Sequence, residues 1–171
     1  MQLTHSVKMM GTIIDIVVDS DTPQQHIKET CHLLTVYKNR FSANDNDSEL
    51  MIINHNAGIA PVTVHPDLFE LIELGKTHSL LQPSNLDIAP LVQSWRIGFE
   101  DAKVPDKENI QKAIALANPE HIILNAAEKS VFLNHKGMKI DLGALAKGYI
   151  ADKIMDYLKT ENVSSAMINL G

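Results

Sequence analysis

Cysteine, basic charge and long apolar runs are all scarce in this chain, and each shortage closes off a class of protein. A single cysteine, Cys31, among 171 residues excludes an intrachain disulfide and a cysteine-rich metal centre. Cys31 falls on the apolar side of a predicted helix, where a small core residue is the plain reading. Acidic residues outnumber basic ones by 21 to 15, and the net charge of −6 creates no field that would draw in a phosphate backbone. A general nucleic-acid binder is not expected, although a single nucleotide in a local pocket is compatible with that charge. No apolar run has the length needed to span a bilayer. The first residues, Met1-Gln-Leu-Thr-His-Ser-Val-Lys8, lack a basic stretch followed by an apolar one. The expectation is a cytoplasmic protein; the alternative is an exported one whose signal has been removed.

Familiar catalytic and metal motifs are also missing. The eight histidines form no H-E-x-x-H or other i, i+4 metal pair, so His32, His55, His65, His78 and His121 read as surface or packing residues. No G-x-S-x-G occurs and no Cys–His couple is indicated, which leaves nucleophilic hydrolase chemistry without support. The acidic run Asn44-Asp-Asn-Asp-Ser-Glu49 lacks the glycine and glutamate that a calcium loop needs at fixed positions. It reads as a solvated turn followed by a helix cap.

What remains is an ordinary globular composition, with 44% apolar and 21% charged residues. The length suits one domain that buries roughly two thirds of its unfolded surface. About Val7 to Val18 is β-favouring, interrupted by Met10-Gly11-Thr12, where a glycine inside a strand marks a bulge or a close backbone approach. Pro23 opens a helix to about Asn39 with Ile27, Cys31 and Leu34 on one stripe. Ser48 with Asp47 can cap a short helix, Glu49 to His55, and Gly58 ends it. Pro61 to Val64 reads as an edge strand, and Pro66 opens a helix with Leu68, Leu71, Ile72 and Leu74 inward. A loop from Ser84 to Pro90 leads to a short helix, Leu91 to Trp95. Asp106 caps a further helix carrying Ile110, Ile114 and Ala117 on one side. Strands are expected at His121–Leu124, Ser130–Leu133, Met138–Leu142 and Ala166–Leu170, with a helix from Ala144 to Leu158 before the last. Helices and strands mix throughout, which is the pattern of an α/β or α+β domain.

The most informative segment is Lys139-Ile-Asp-Leu-Gly-Ala-Leu-Ala-Lys-Gly-Tyr149. It reads as a strand end, a sharp turn and a helix start, with Asp141 before the turn and Lys147 in the first helical turns. Free amides and the positive helix end meet at such a corner, where phosphates bind. It is neither a Walker A loop nor a Rossmann fingerprint, and a plain β-to-α connection is the competing reading. In the Ser84–Pro90 loop, Asp87 is either a turn former or an acceptor for a ligand hydroxyl or ring.

In order along the chain, Met10-Gly-Thr12, Phe41-Ser42, Asp47-Ser-Glu-Leu50 with Asn54, Asn85-Leu-Asp87, Pro90-Leu-Val92 with Trp95, Ile140-Asp-Leu-Gly-Ala-Leu-Ala-Lys-Gly-Tyr149 and Ile168-Asn-Leu-Gly171 resemble segments of the FAD:protein FMN transferase family, also called ApbE. The Asp141–Tyr149 block is specific; the others are individually weak but correctly ordered. The resemblance covers essentially the whole chain and about half of the family's length. It implies a mixed α/β fold in which residues 1–171 are the N-terminal portion of one ApbE-like domain, cut after a β-α-β unit. It implies an enzyme that moves FMN from FAD to a Thr or Ser hydroxyl of a target protein, with Mg²⁺ assisting and AMP leaving. By resemblance, Met10, Ser42, Asn85, Leu86, Asp87, Asp141 and Lys147 line the FAD site, Lys147 is the catalytic cation, and the Ala144 carbonyl is a metal ligand. The family carries a longer loop before the proline that matches Pro90, and its other metal ligands lie in its C-terminal half. The alternative readings are a non-catalytic FAD-binding module and a structural remnant held together by self-association. An open edge on the last strand makes a homodimer a further expectation.

Overall fold

Two adjacent residues with positive φ, Met10 at 51° and Gly11 at 75°, make the first turn of the chain. Consecutive left-handed residues give a turn whose twist matches that of paired strands. The interruption expected as a bulge within one strand is therefore a two-residue hairpin turn. In the computed structural model, which describes residues 1–89, 104 and 106–171, the elements in chain order are β1 (Gln2–Met9), β2 (Thr12–Asp19), α1 (Pro23–Phe41), α2 (Glu49–His55), β3 (Val62–Thr63), α3 (Pro66–Leu80), α4 (Lys107–Leu116), a 3-10 turn (Pro119–His121), β4 (Ile122–Asn125), β5 (Ser130–Leu133), α5 (Gly143–Thr160) and β6 (Ser165–Asn169). The helix expected at Leu91–Trp95 and the Pro90-Leu-Val92 segment lie outside the described residues.

The chain divides into two compact units, Met1–Arg40 with Leu145–Gly171, and Phe41–Ala144. In the first, β2 pairs antiparallel with β1 on one side and β6 on the other. Alternation along β2 sends Ile14, Ile16 and Val18 inward and leaves Ile13 exposed. In α1, Ile27, Leu34 and Tyr37 are buried along with the polar His26 and Thr30. Cys31 sits on the shoulder of that stripe, and burial raises its thiol pKa above the ordinary value, as suits an unreactive packing residue. Ile150, Ile154 and Leu158, spaced by one helical turn, are the buried side of α5.

In the second unit, β5 lies between β3 and β4, both antiparallel to it. The short β3, introduced by Pro61, is the edge strand that its sequence suggests. In α3, Leu68, Phe69, Leu71 and Ile72 are buried, whereas Leu74, expected inward, is 43% exposed. Asp106 caps α4 as expected, accepting the Asn109 N–H at 2.8 Å, yet no residue of α4 is buried and Ile114 is 47% exposed. The apolar stripe of α4 therefore does not enter the core. No helix among the described residues is long and apolar enough to cross a membrane.

The α2 cap matches its expected residue. The Ser48 hydroxyl accepts the Met51 N–H at 3.1 Å and donates to the Ser42 carbonyl at 2.5 Å, with Ser48 almost wholly buried. Ser48→Ala removes a helix cap and leaves that carbonyl partner without its donor. The expected cost is about 2 kcal/mol, read as a lower urea midpoint at unchanged slope. A loss within about 0.5 kcal/mol would show that water replaces the hydroxyl at this site.

Candidate functional site

Met138–Leu142 is the strand expected before the corner, but it joins no ladder among the described residues. Its backbone groups are paired differently. Asn54, on the buried side of α2, takes the place of a neighbouring strand. Its Oδ1 accepts the Ile140 N–H at 2.8 Å and its Nδ2 donates to the Ile140 carbonyl at 3.0 Å, a pairing between residues 86 apart in the chain. The next amide, Asp141 N–H, donates to the Ile88 carbonyl at 2.9 Å. One side chain and one loop carbonyl thus hold the segment where a ladder was expected, because buried amides and carbonyls must find partners.

The corner itself is open. Ile140 and Leu142 are fully buried, whereas Gly143 and Ala144 are exposed. An exposed helix start beside two buried anchors is the arrangement needed for a ligand to approach. The Asp141 carboxylate already uses part of it, since Oδ1 accepts the Gly143 N–H at 2.8 Å. That contact stabilises the start of α5 through both the hydrogen bond and the helix dipole. It also places a negative charge at the helix end that was expected to face a phosphate. A Cβ at Gly143 would lie 3.1 Å from Asp141 Oδ1, so glycine is what lets the carboxylate fold in this closely.

The Ser84–Ala89 loop is brought to the same place by the Ile88–Asp141 bond. Asn85 and Asp87 are exposed and Leu86 is half-buried, while Ile88 and Ala89 are buried. The Asp87 Oδ1 accepts the Ala89 N–H at 2.8 Å, and the Ser84 Oγ accepts the Leu86 N–H at 3.1 Å. Both readings of Asp87 thereby survive: it forms a turn, and the residue is exposed to an incoming ligand. Ser42, half-buried, anchors the cap of α2 through its carbonyl, and its hydroxyl accepts the Asn44 N–H at 3.2 Å. Of the remaining expected contacts, Met10 is the first turn residue of the β1–β2 hairpin and Lys147 is half-buried on α5, both in the first unit.

The oxygen donors at the corner fall short of what Mg²⁺ requires, which is near-octahedral oxygen coordination. Ala144 is exposed and offers one carbonyl, and Asp141 has one carboxylate oxygen beyond its bond to Gly143. Among the described residues no group of three or more His, Cys, Asp or Glu could hold a metal ion. These residues by themselves do not make a Mg²⁺ centre.

Two residues of this arrangement were not among the expected contacts. Asn54 had appeared only as part of a sequence pattern. The available signal was an amide among Leu50, Met51 and Ile53, all buried, since a polar group on a buried helix face needs a specific partner. Ser79, whose hydroxyl accepts the Ile88 N–H at 3.1 Å, carried no sequence signal at all.

A mixed α/β chain of this architecture is that of the solved flavin transferases. The flavin transferase ApbE from Vibrio cholerae superposes with a TM-score of 0.87 at 23% identity, covering 100% of this chain and 57% of that one. The flavinyl transferase ApbE from Pseudomonas stutzeri in its apo form gives 0.87 at 20% identity, covering 99% and 56%. At those identities the likeness speaks for the fold. Residues 10–171 match the model of the ApbE family, and the chain belongs to that family. The FAD:protein FMN transferase of Klebsiella pneumoniae (strain 342) is 47% identical over 170 residues, which is 98% of this chain and 54% of that protein. That of Treponema pallidum (strain Nichols) is 33% identical over 177 residues, 95% of this chain and 48% of that protein. The chain spans about half the length of the curated relatives it matches.

Proposed function

We propose that this chain is the N-terminal, FAD-holding portion of a FAD:protein FMN transferase. The observation that carries the reading is the Asp141–Ile88 hydrogen bond at 2.9 Å. It ties together two segments that the resemblance assigns to the flavin site and leaves an exposed helix start beside them. Ser42, Asn85, Leu86, Asp87 and Asp141 in the second unit, with Met10 and Lys147 in the first, are the proposed FAD contacts.

The reaction exchanges one phosphate linkage for another. A Thr or Ser hydroxyl oxygen of the target protein bonds to the FMN phosphorus. The bond from that phosphorus to the AMP oxygen breaks, AMP departs with the electron pair, and the hydroxyl proton passes to solvent. Charge builds on the phosphate oxygens during such a transfer, and fixed cations and amides stabilise it. Lys147 is the proposed cation. The Asp141 carboxylate keeps the corner's backbone in place and repels a phosphate pushed too close to the first helical amide. Mg²⁺, when bound, would supply further charge neutralisation; the Ala144 carbonyl is its proposed ligand here, with the other ligands coming from outside the described residues.

The test combines the purified protein with FAD, Mg²⁺ and a target peptide bearing one acceptor Thr. Flavin fluorescence on the peptide and stoichiometric AMP are the expected products. Bound but intact FAD, with no AMP, would instead identify a non-catalytic flavin module. Lys147→Ala is expected to slow flavinylation by about 10²-fold through lost charge stabilisation, with a smaller change in FAD affinity. Turnover equal to the unaltered protein would remove Lys147 from the chemistry.

A further inference from the structure

We infer that Ser79 is a positioning residue for the flavin site, acting through the backbone of Ile88. The inference rests on the flavin reading proposed above. Ser79 lies in the last turn of α3, and none of the expected FAD contacts is on that helix. Its hydroxyl proton is donated to the Gly75 carbonyl at 2.7 Å, one helical turn back. With the donor committed, the oxygen presents a lone pair in a fixed direction, and the Ile88 N–H donates to it at 3.1 Å. The other side of Ile88 continues the chain of bonds, its carbonyl accepting the Asp141 N–H at 2.9 Å. Asn54 then holds Ile140 from α2.

The two helices therefore grip the corner from its two ends, Ser79 on α3 and Asn54 on α2. The Asp87 and Asp141 backbones adjoin the same central bond: Asp87 precedes Ile88, and Asp141 is the donor. A shift of the Ile88 backbone, whose N–H and carbonyl make these two bonds, would therefore carry the Asp87 and Asp141 backbones with it. Ile88 is 1% exposed, so no solvent molecule is at hand to replace a lost partner for its N–H. Small displacements of positioned groups have large consequences for a ligand that both must meet at once.

Two measurements on the purified protein test this, one with flavin and one without. In a flavin-fluorescence titration, Ser79→Ala is expected to raise the FAD Kd by about tenfold, the equivalent of one net hydrogen bond. Ser79→Thr, which keeps the hydroxyl, is expected to restore it to within about threefold. In flavin-free protein, amide hydrogen exchange at Asp141 is expected to quicken by about tenfold in Ser79→Ala and to return in Ser79→Thr. Faster exchange with an unaltered Kd would make Ser79 a merely structural residue and overturn the inference. Unchanged exchange at Asp141 would overturn it by breaking the link through Ile88. Failure of the unaltered protein to bind FAD would overturn the flavin reading itself, and Ser79's role with it. If Ser79→Ala does not fold, Ser79→Cys, which keeps the volume and weakens the acceptor, gives the same two readings.

Discussion

Gly58→Ala is expected to destabilise the second unit by about 3 kcal/mol or more, through two effects that act at the same atom. Gly58 has φ of 71°, in the left-handed region that L residues other than Asn and Asp enter at a cost. A Cβ built there would lie 2.4 Å from the Lys136 backbone nitrogen and 2.7 Å from its Cα. Those are backbone atoms, so no side-chain rotation relieves the clash. The Gly58 N–H also donates to the Leu133 carbonyl at 2.8 Å, which pins the turn against the end of β5. Either the turn moves and that bond is lost, or the backbone of His135 and Lys136 is displaced in its place. Gly137 is the internal control. Its φ of 84° carries similar strain, but the nearest atom to an added Cβ is Leu116 Cδ1 at 3.7 Å, an ordinary contact. Gly137→Ala is therefore expected to cost only about 1 kcal/mol. Urea unfolding followed by circular dichroism compares the two. Equal losses at both positions would show that φ alone, and not the close approach to Lys136, sets the penalty at Gly58.

The second large effect is expected at Asn54. Asn54→Ala strands both the N–H and the carbonyl of Ile140, a residue with no solvent exposure. Each orphaned buried group costs about 1–3 kcal/mol, so the expected total is about 2–6 kcal/mol. Against typical domain stabilities of about 5–15 kcal/mol, that is a large share. Asn54→Asp separates the two contributions. Its carboxylate still accepts the Ile140 N–H, but it offers no donor to the Ile140 carbonyl and sets two acceptors face to face. Asn54→Asp is thus expected to be no milder than Asn54→Ala near neutral pH, and to recover stability as the pH falls and the carboxyl gains a proton it can donate. The sign follows from a folded-state preference for the protonated acid. Indifference to pH in that variant, or an Asn54→Ala loss below about 1 kcal/mol, would show that Ile140 finds other partners.

Local sequence signals located most of the elements. Ser48 and Asp106 cap the helices assigned to them, because a side-chain oxygen satisfying nearby amides depends on residues three positions apart. Pro23 and Pro66 open α1 and α3 for an equally local reason. The hairpin is not legible because Met10 is not a residue that advertises positive φ, and glycine alone at Gly11 fits a bulge as well as a turn. For α4, an apolar stripe announced burial, but whether a stripe is covered depends on what stands opposite, and Ile114 remains exposed.

The candidate site divides along the same line. Residue types and order alone marked Asp141, Gly143 and Lys147, assigned the family, and named Asp87 and its neighbours as contacts to be tested. The same information determined that α5 begins at this point, since a helix start depends on its own first turn. Only the folded chain decided what holds Met138–Leu142. Its spacing suited a strand, yet Asn54 and Ile88 are its partners, and pairings between residues so far apart leave no periodic trace in a sequence. Ser79 reaches Ile88 for the same reason: a hydroxyl's partner is set by three-dimensional proximity, while its type says only that it needs one.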